Sequence, residues 1–151
     1  KSIYTYRVLT SNQKRKKMTR REARTKAMQL IFQMEGQKDY SKGPVIDQIS
    51  ANGKQKEYII SCIKYFSDNI EEIDRLISES LDKWTISRIS KTDLAVLRLA
   101  VIEMKWIEDV PCAVAINEAV ELAKEFGTEN SGVFVNGVLG KTKKIIDDTG
   151  N

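Results

Sequence analysis

SKTDLAVLRLAVIEMKWI, residues 90–107, decides the fold class. Leu94, Ala95, Val96, Leu97, Leu99, Ala100, Val101, Ile102 and Met104 leave no polar face at 100° per residue, so the segment reads as a helix buried on most sides. Ser90 followed three residues later by Asp93 predicts a capping box at its start. Working outward, Glu108–Pro111 breaks this helix, and Pro111 suits the first turn of the next. That helix carries Ala115, Ile116, Ala119, Val120, Ala123 and Phe126 at core spacing, with Gly127 expected as a left-handed cap. A last helix runs from about Ser131 to Ile146, with Val135, Val138, Leu139 and Ile145 inward. Lys141, Lys143 and Lys144 near its end favour the helix dipole.

On the N-terminal side, residues 54–83 form the longest helical pattern, uninterrupted by Gly or Pro. Trp84–Ile89 reads as a short connection or one helical turn. GQKDYSKG (36–43) is a loop, Pro44 opens a short helix, and Asn52-Gly53 signals a turn. TRREARTKAMQLIFQM (19–34) is the first helix. Thr19 and Glu22 form a capping box, and Met18 is placed as its staple. Ala23, Ala27, Leu30, Ile31 and Met34 make the core stripe; Arg21, Arg24, Thr25, Met28 and Phe32 are read as the opposite side. An aromatic in line with arginines suits a nucleic-acid surface, unless a second helix covers that face.

No stretch alternates with period two for long, so the expectation is an all-α protein of six or seven helices in two packed helical subdomains. Residues 18–151 are expected to form one domain, with 18–83 as its first helical half and 84–147 as its second. Residues 1–17 read as a basic flexible arm or a non-native extension, with Met18 a sensible natural start.

Charge is distributed unevenly. Of 25 Lys and Arg, ten fall in residues 1–26 beside a single Glu, while the rest of the chain is net acidic. A basic segment of this kind usually meets polyanions. The chain holds no histidine, which excludes histidine bases and ligands. GKT at 140–142 resembles the end of a P-loop, but Val135 stands where the motif needs glycine. Two distant cysteines, Cys62 and Cys112, favour a reduced, cytoplasmic protein. No apolar run approaches a membrane span. No catalytic chemistry, metal or cofactor is expected.

Three stretches carry a resemblance: RREARTKAMQLIFQ (20–33), ISKTDLAVLRLAVIEM (89–104) and VPCAVAINEAVELAKEFGTENSGVFVNGVLGK (110–141). Together they resemble the NusB family of bacterial transcription antitermination proteins, over about residues 18–146. The resemblance implies an all-helical, non-enzymatic protein. It implies binding to single-stranded boxA RNA of nascent ribosomal RNA leaders, as a heterodimer with the ribosomal protein NusE, within an antitermination complex on RNA polymerase. Arg20, Arg21 and Arg24 would be RNA-contacting arginines. Gln29 matches a family position on the same helix. Phe134 matches an aromatic offered to RNA, with Asn136 beside it. Phe32, where many relatives have tyrosine, would lie near both RNA and NusE, and Asp93 matches an acidic position that holds NusE. Glu22 stands where some relatives have another arginine. Asn130 replaces an acidic residue near the RNA surface, a change that should help RNA binding slightly. The residues alone leave Phe134 readable as core and Asp93 as a cap. A homodimer through the arginine–Phe32 surface, an RNA-binding module of a ribosomal-RNA methyltransferase, and a purely protein-binding adaptor are the other readings the chain admits.

Overall fold

The computed structural model describes residues 17–150. Apart from Lys17, the expected basic arm of residues 1–17 lies outside them. Six α-helices follow in order: α1 (Arg20–Gln37), α2 (Lys42–Ile46), α3 (Gly53–Glu79), α4 (Lys91–Trp106), α5 (Cys112–Phe126) and α6 (Ser131–Asp148). A 3₁₀ turn, Ile86–Arg88, precedes α4, and the described residues contain no strand. The all-α expectation holds.

α4 is the central element. Every residue from Asp93 to Glu103 is buried, and the helix packs against α1, α3, α5 and α6. One continuous core results, with Leu30, Phe66, Ile77, Leu97, Ile102 and Leu139 among its largest members. Three charged residues are buried in this stretch, and burying a charge is costly unless it is paired. Arg98 solves this with two bonds to Asp74 of α3 (2.9 and 2.7 Å) and one to Glu35 of α1 (2.9 Å). Glu103 accepts from Arg24 of α1 (2.8 Å) and from the Tyr58 hydroxyl of α3 (2.7 Å). The two charges therefore clasp α1 and α3 to the central helix. Asp93 is the exception: its Oδ1 is buried and has no hydrogen-bond partner.

Local signals explain most helix ends. The Glu22 N–H donates to Thr19 Oγ1 (3.0 Å) and the Thr19 N–H to Glu22 Oε1 (2.8 Å), completing the expected capping box. Met18 packs against the core beside it. α1 ends at Lys38, which takes the left-handed conformation (φ 54°), and the Asp39 N–H reaches back to the Met34 carbonyl.

Several expectations are corrected. The long third helix stops at Glu79 rather than 83 and kinks at Asn69 (φ −131°, ψ 25°). The Asn69 side-chain amide donates to the Tyr65 carbonyl at 3.0 Å, an intrusion into the helical ladder that bends it. At α4 only half of the predicted box forms: Ser90 Oγ accepts from the Asp93 N–H (3.1 Å), while the Asp93 carboxylate makes no return bond. Aspartate is one methylene shorter than the glutamate the motif prefers. Gly127 caps α5 in an extended conformation (φ −98°, ψ −154°), not a left-handed one. Glycine is needed there for another reason: a Cβ would lie 2.4 Å from Ser131 Oγ and 2.8 Å from the Ala123 carbonyl. Ile145 is half-buried, and Ile146 is the fully inward residue of the pair.

Candidate nucleic-acid and partner interface

α1 packs against both α3 and α4, so its buried arc is wide. At 100° per residue, the buried positions Ala23, Arg24, Ala27, Met28, Leu30, Ile31, Met34 and Glu35 span about 160° of the helix. Arg24 and Met28 fall at the edge of that arc. The expectation that they face outward with Arg21 is therefore wrong. Arg24 is 7% exposed and turns inward to Glu103; Met28 is 3% exposed. Burial works against the Arg24 charge, but Glu103 more than offsets it and holds the guanidinium above its usual range.

The remaining arc carries Arg21, Gln29 and Phe32, all exposed, with Thr25 half-buried between them. Phe32 is 43% exposed. Eleven residues separate it from Arg21, which returns it to within about 20° of the same line, roughly 16 Å further along the axis. The outward aromatic in register with an arginine is thus present. Arg20 lies at the side of this surface. Its Nε donates to Gln55 (2.8 Å) and its guanidinium sits 4.2 Å from the Tyr58 ring centroid, a cation–π contact that fixes it.

Arg21 is not free. Its Nε and Nη2 donate to the two carboxylate oxygens of Glu118 on α5, at 3.2 and 3.0 Å. Arg24 Nη1 lies 3.7 Å from the same carboxylate. The bond and charge of Glu118 hold the Arg21 guanidinium above its usual range. A cleft of about 240 Å³ opens between α1 and α5 here, lined by Arg21, Arg24, Glu118, Glu121, Lys124 and Glu125 among others. Glu118 and Glu103 are the residues that reading the sequence missed. The signal for Glu103 is an acid amid the apolar run Leu99–Met104 of α4. For Glu118 it is the spacing of Glu118, Glu121 and Glu125, which lines one face of a helix.

Asp93 lies in the first turn of α4. Lys91, two residues before it, reaches Glu35 Oε2 at 3.1 Å. The α6 candidates lie on a separate helix, whose main packing partners are α3, α4 and α5. Asn130 is exposed at the start of α6 and makes no side-chain cap; Asn136 is exposed; Phe134 is half-buried and packs against the core. Lys124 of α5 approaches the first turn of α6, where a Cβ at Gly132 would lie 3.1 Å from Lys124 Cγ. Among the described residues no group of His, Cys, Asp and Glu could hold a metal ion. Cys62 is buried, and burial pushes its thiol up to about 12, so it is inert packing.

With this geometry in view, the model of the NusB family matches residues 21–144. The chain belongs to the NusB family. The transcription antitermination protein NusB of Acetivibrio thermocellus is 48% identical over 131 residues, covering 85% of this chain and 90% of that one. The solved structure of T. maritima NusB superposes with a TM-score of 0.79 at 39% identity, covering 85% and 93% of the two chains. A crystal structure of antitermination factors NusB and NusE in complex with dsRNA matches with a TM-score of 0.72 at 27% identity, covering 83% and 96%. Membership of the NusB family carries the coarse function, transcription antitermination. No helix among the described residues is long and apolar enough to cross a membrane.

Proposed function

We propose that this NusB-family protein binds boxA RNA of nascent ribosomal RNA leaders together with NusE, in an antitermination complex on RNA polymerase. The observation that carries this reading is the outward line of α1, where the exposed Arg21 guanidinium and the exposed Phe32 ring share one face. Guanidinium groups bind phosphates through two parallel bonds, and an exposed ring offers a stacking platform to an unpaired base. Arg20 and Arg21 take phosphates, and Gln29 and Phe32 face the bases. Arg24 supports the surface from beneath through its pair with Glu103. Asn130, Phe134 and Asn136 extend the interface on α6. Asp93 and Phe32 meet NusE. The Asp93 carboxylate makes no return bond within its own helix, which leaves its charge to attract a cationic group of a partner.

The relative solved with NusE holds dsRNA. For this chain the exposed ring favours unpaired bases, because a base within a duplex cannot stack on a side chain. A fluorescence titration of single-stranded boxA RNA and of its duplex, with and without NusE, tests the reading. Single-stranded boxA should bind best, and NusE should tighten it. Replacing Arg20 and Arg21 by alanine should flatten the dependence of log affinity on log salt by about 0.7 for each phosphate no longer neutralised. Equal binding of an unrelated RNA, or an unchanged salt slope, would overturn it.

A further inference from the structure

Arg21 presents Nε and Nη2 to Glu118 as a fork. These are the two donors that an incoming phosphate would take in the bidentate geometry that makes arginine a phosphate ligand. The Arg21 side chain is 65% exposed, so the pair lies at the water boundary, where ion pairs exchange partners readily. Glu118 is not alone. Glu121 and Glu125 lie on the same face of α5 and line the same cleft. A phosphate arriving at Arg21 meets a carboxylate already in its place and two more behind it. The Glu118 carboxylate also lies 3.7 Å from Arg24, but Arg24 is held chiefly by its buried pair with Glu103 at 2.8 Å.

We infer that Glu118 is an intramolecular competitor for RNA phosphate at Arg21, so that the α5 acidic face screens the basic surface against weakly held polyanions. The inference rests on the proposed RNA-binding role of α1. Free protein keeps Arg21 neutralised by Glu118. An RNA that makes enough further contacts displaces the carboxylate; one held by charge alone does not. The gain is specificity, obtained through repulsion of the wrong partner.

The test is Glu118→Gln, which keeps the shape and the acceptor but removes the charge. Wild type and variant are titrated with labelled single-stranded boxA RNA and with an oligouridylate of the same length, across a salt series. The variant should bind both RNAs more tightly, by up to about fivefold. The proportional gain should be larger for oligouridylate, and its salt slope steeper by about 0.7, one extra phosphate neutralised, while the boxA slope stays unchanged. In an Arg21→Ala background the gain should vanish. An unchanged or weakened affinity would make Glu118 a brace for Arg21, and the inference falls. The same gain without Arg21 would mean a diffuse charge effect, and it falls again. A Glu118→Gln protein that fails a thermal melt would show a structural residue, with the same consequence. If the wild-type protein binds neither RNA, the proposed function itself fails; if wild type binds and the variant gains nothing, only the competitor role does.

Discussion

At the scale of single residues, α1 shows how one position decides between packing and contact. Leu30 is 2% exposed and Phe32 43% exposed, two residues apart. Phe32→Asp should therefore leave the fold largely intact, costing less than about 1 kcal/mol. Leu30→Asp buries an unpaired carboxylate and should cost more than about 3 kcal/mol. The exposed variant should nonetheless lose RNA and NusE binding, because it removes a stacking contact worth about 1–3 kcal/mol and sets a negative charge in line with Arg21. Thermal melts beside a binding titration separate the outcomes. If both variants unfold alike, Phe32 belongs to the core. If Phe32→Asp folds and binds at wild-type strength, the surface is exposed but idle. Arg24 marks the limit of such reasoning. It lies only about 60° from Arg21 on the helical wheel, yet it is a buried anchor because Glu103 waits for it.

At the scale of elements, helices with long periodic patterns are legible from residues alone. α4 is apolar nearly all round and central, and α5 and α6 begin where Pro111 and Ser131 suggest. What stays hidden depends on neighbours. The arc of α1 is wide because two helices cover it, and one helix's pattern cannot report how many partners it has. The kink at Asn69 comes from a side-chain amide competing with the ladder, and a polar residue at that position otherwise resembles any solvated one. Arg98 and Glu103 carry a clue that periodicity passes over: charges inside an apolar helix require buried partners, which here are Asp74, Glu35 and Arg24. Gly127 does mark a helix end, but not through the left-handed backbone that the residue type suggests. Its role is close approach of α5 to the start of α6, where the Thr128 N–H donates to Ser131 Oγ at 2.9 Å. Gly127→Ala should therefore destabilise the α5–α6 corner by about 1–3 kcal/mol, since backbone as well as a side chain would have to shift. Denaturant melts check this. A neutral result would mean that the corner relaxes freely.

At the scale of the whole molecule, the two halves of the chain are joined through charge as well as through apolar packing. Glu35 of α1 is the hub. It accepts from Arg98 (2.9 Å) and Lys91 (3.1 Å), from the Tyr40 hydroxyl (2.9 Å), and from Lys38. Arg98 in turn holds Asp74 and lies over the Phe66 ring. Burial opposes the ionised form of Glu35, but the bonds from Lys38, Arg98, Tyr40 and Lys91 outweigh it and hold the carboxyl well below the usual range. The sign of the consequence follows from linkage. A carboxyl that titrates lower in the folded state than in the unfolded chain contributes stability in full above the unfolded value, about 4.3 for glutamate. As pH falls below that, the unfolded chain takes up a proton that folded Glu35 refuses, and the contribution drains away toward the folded value. Wild type should lose stability steeply on acidification from about pH 5 to pH 3. Glu35→Gln should be less stable at neutral pH, because Arg98 and Lys91 lose their shared counter-charge. It should also show a shallower acid limb, so that the two curves converge as pH falls. Denaturant melts of both proteins at a series of pH values give the two limbs directly. Parallel curves would show that acid stability is set by other carboxylates, and that the hub joins the helices by geometry without coupling their stability to pH.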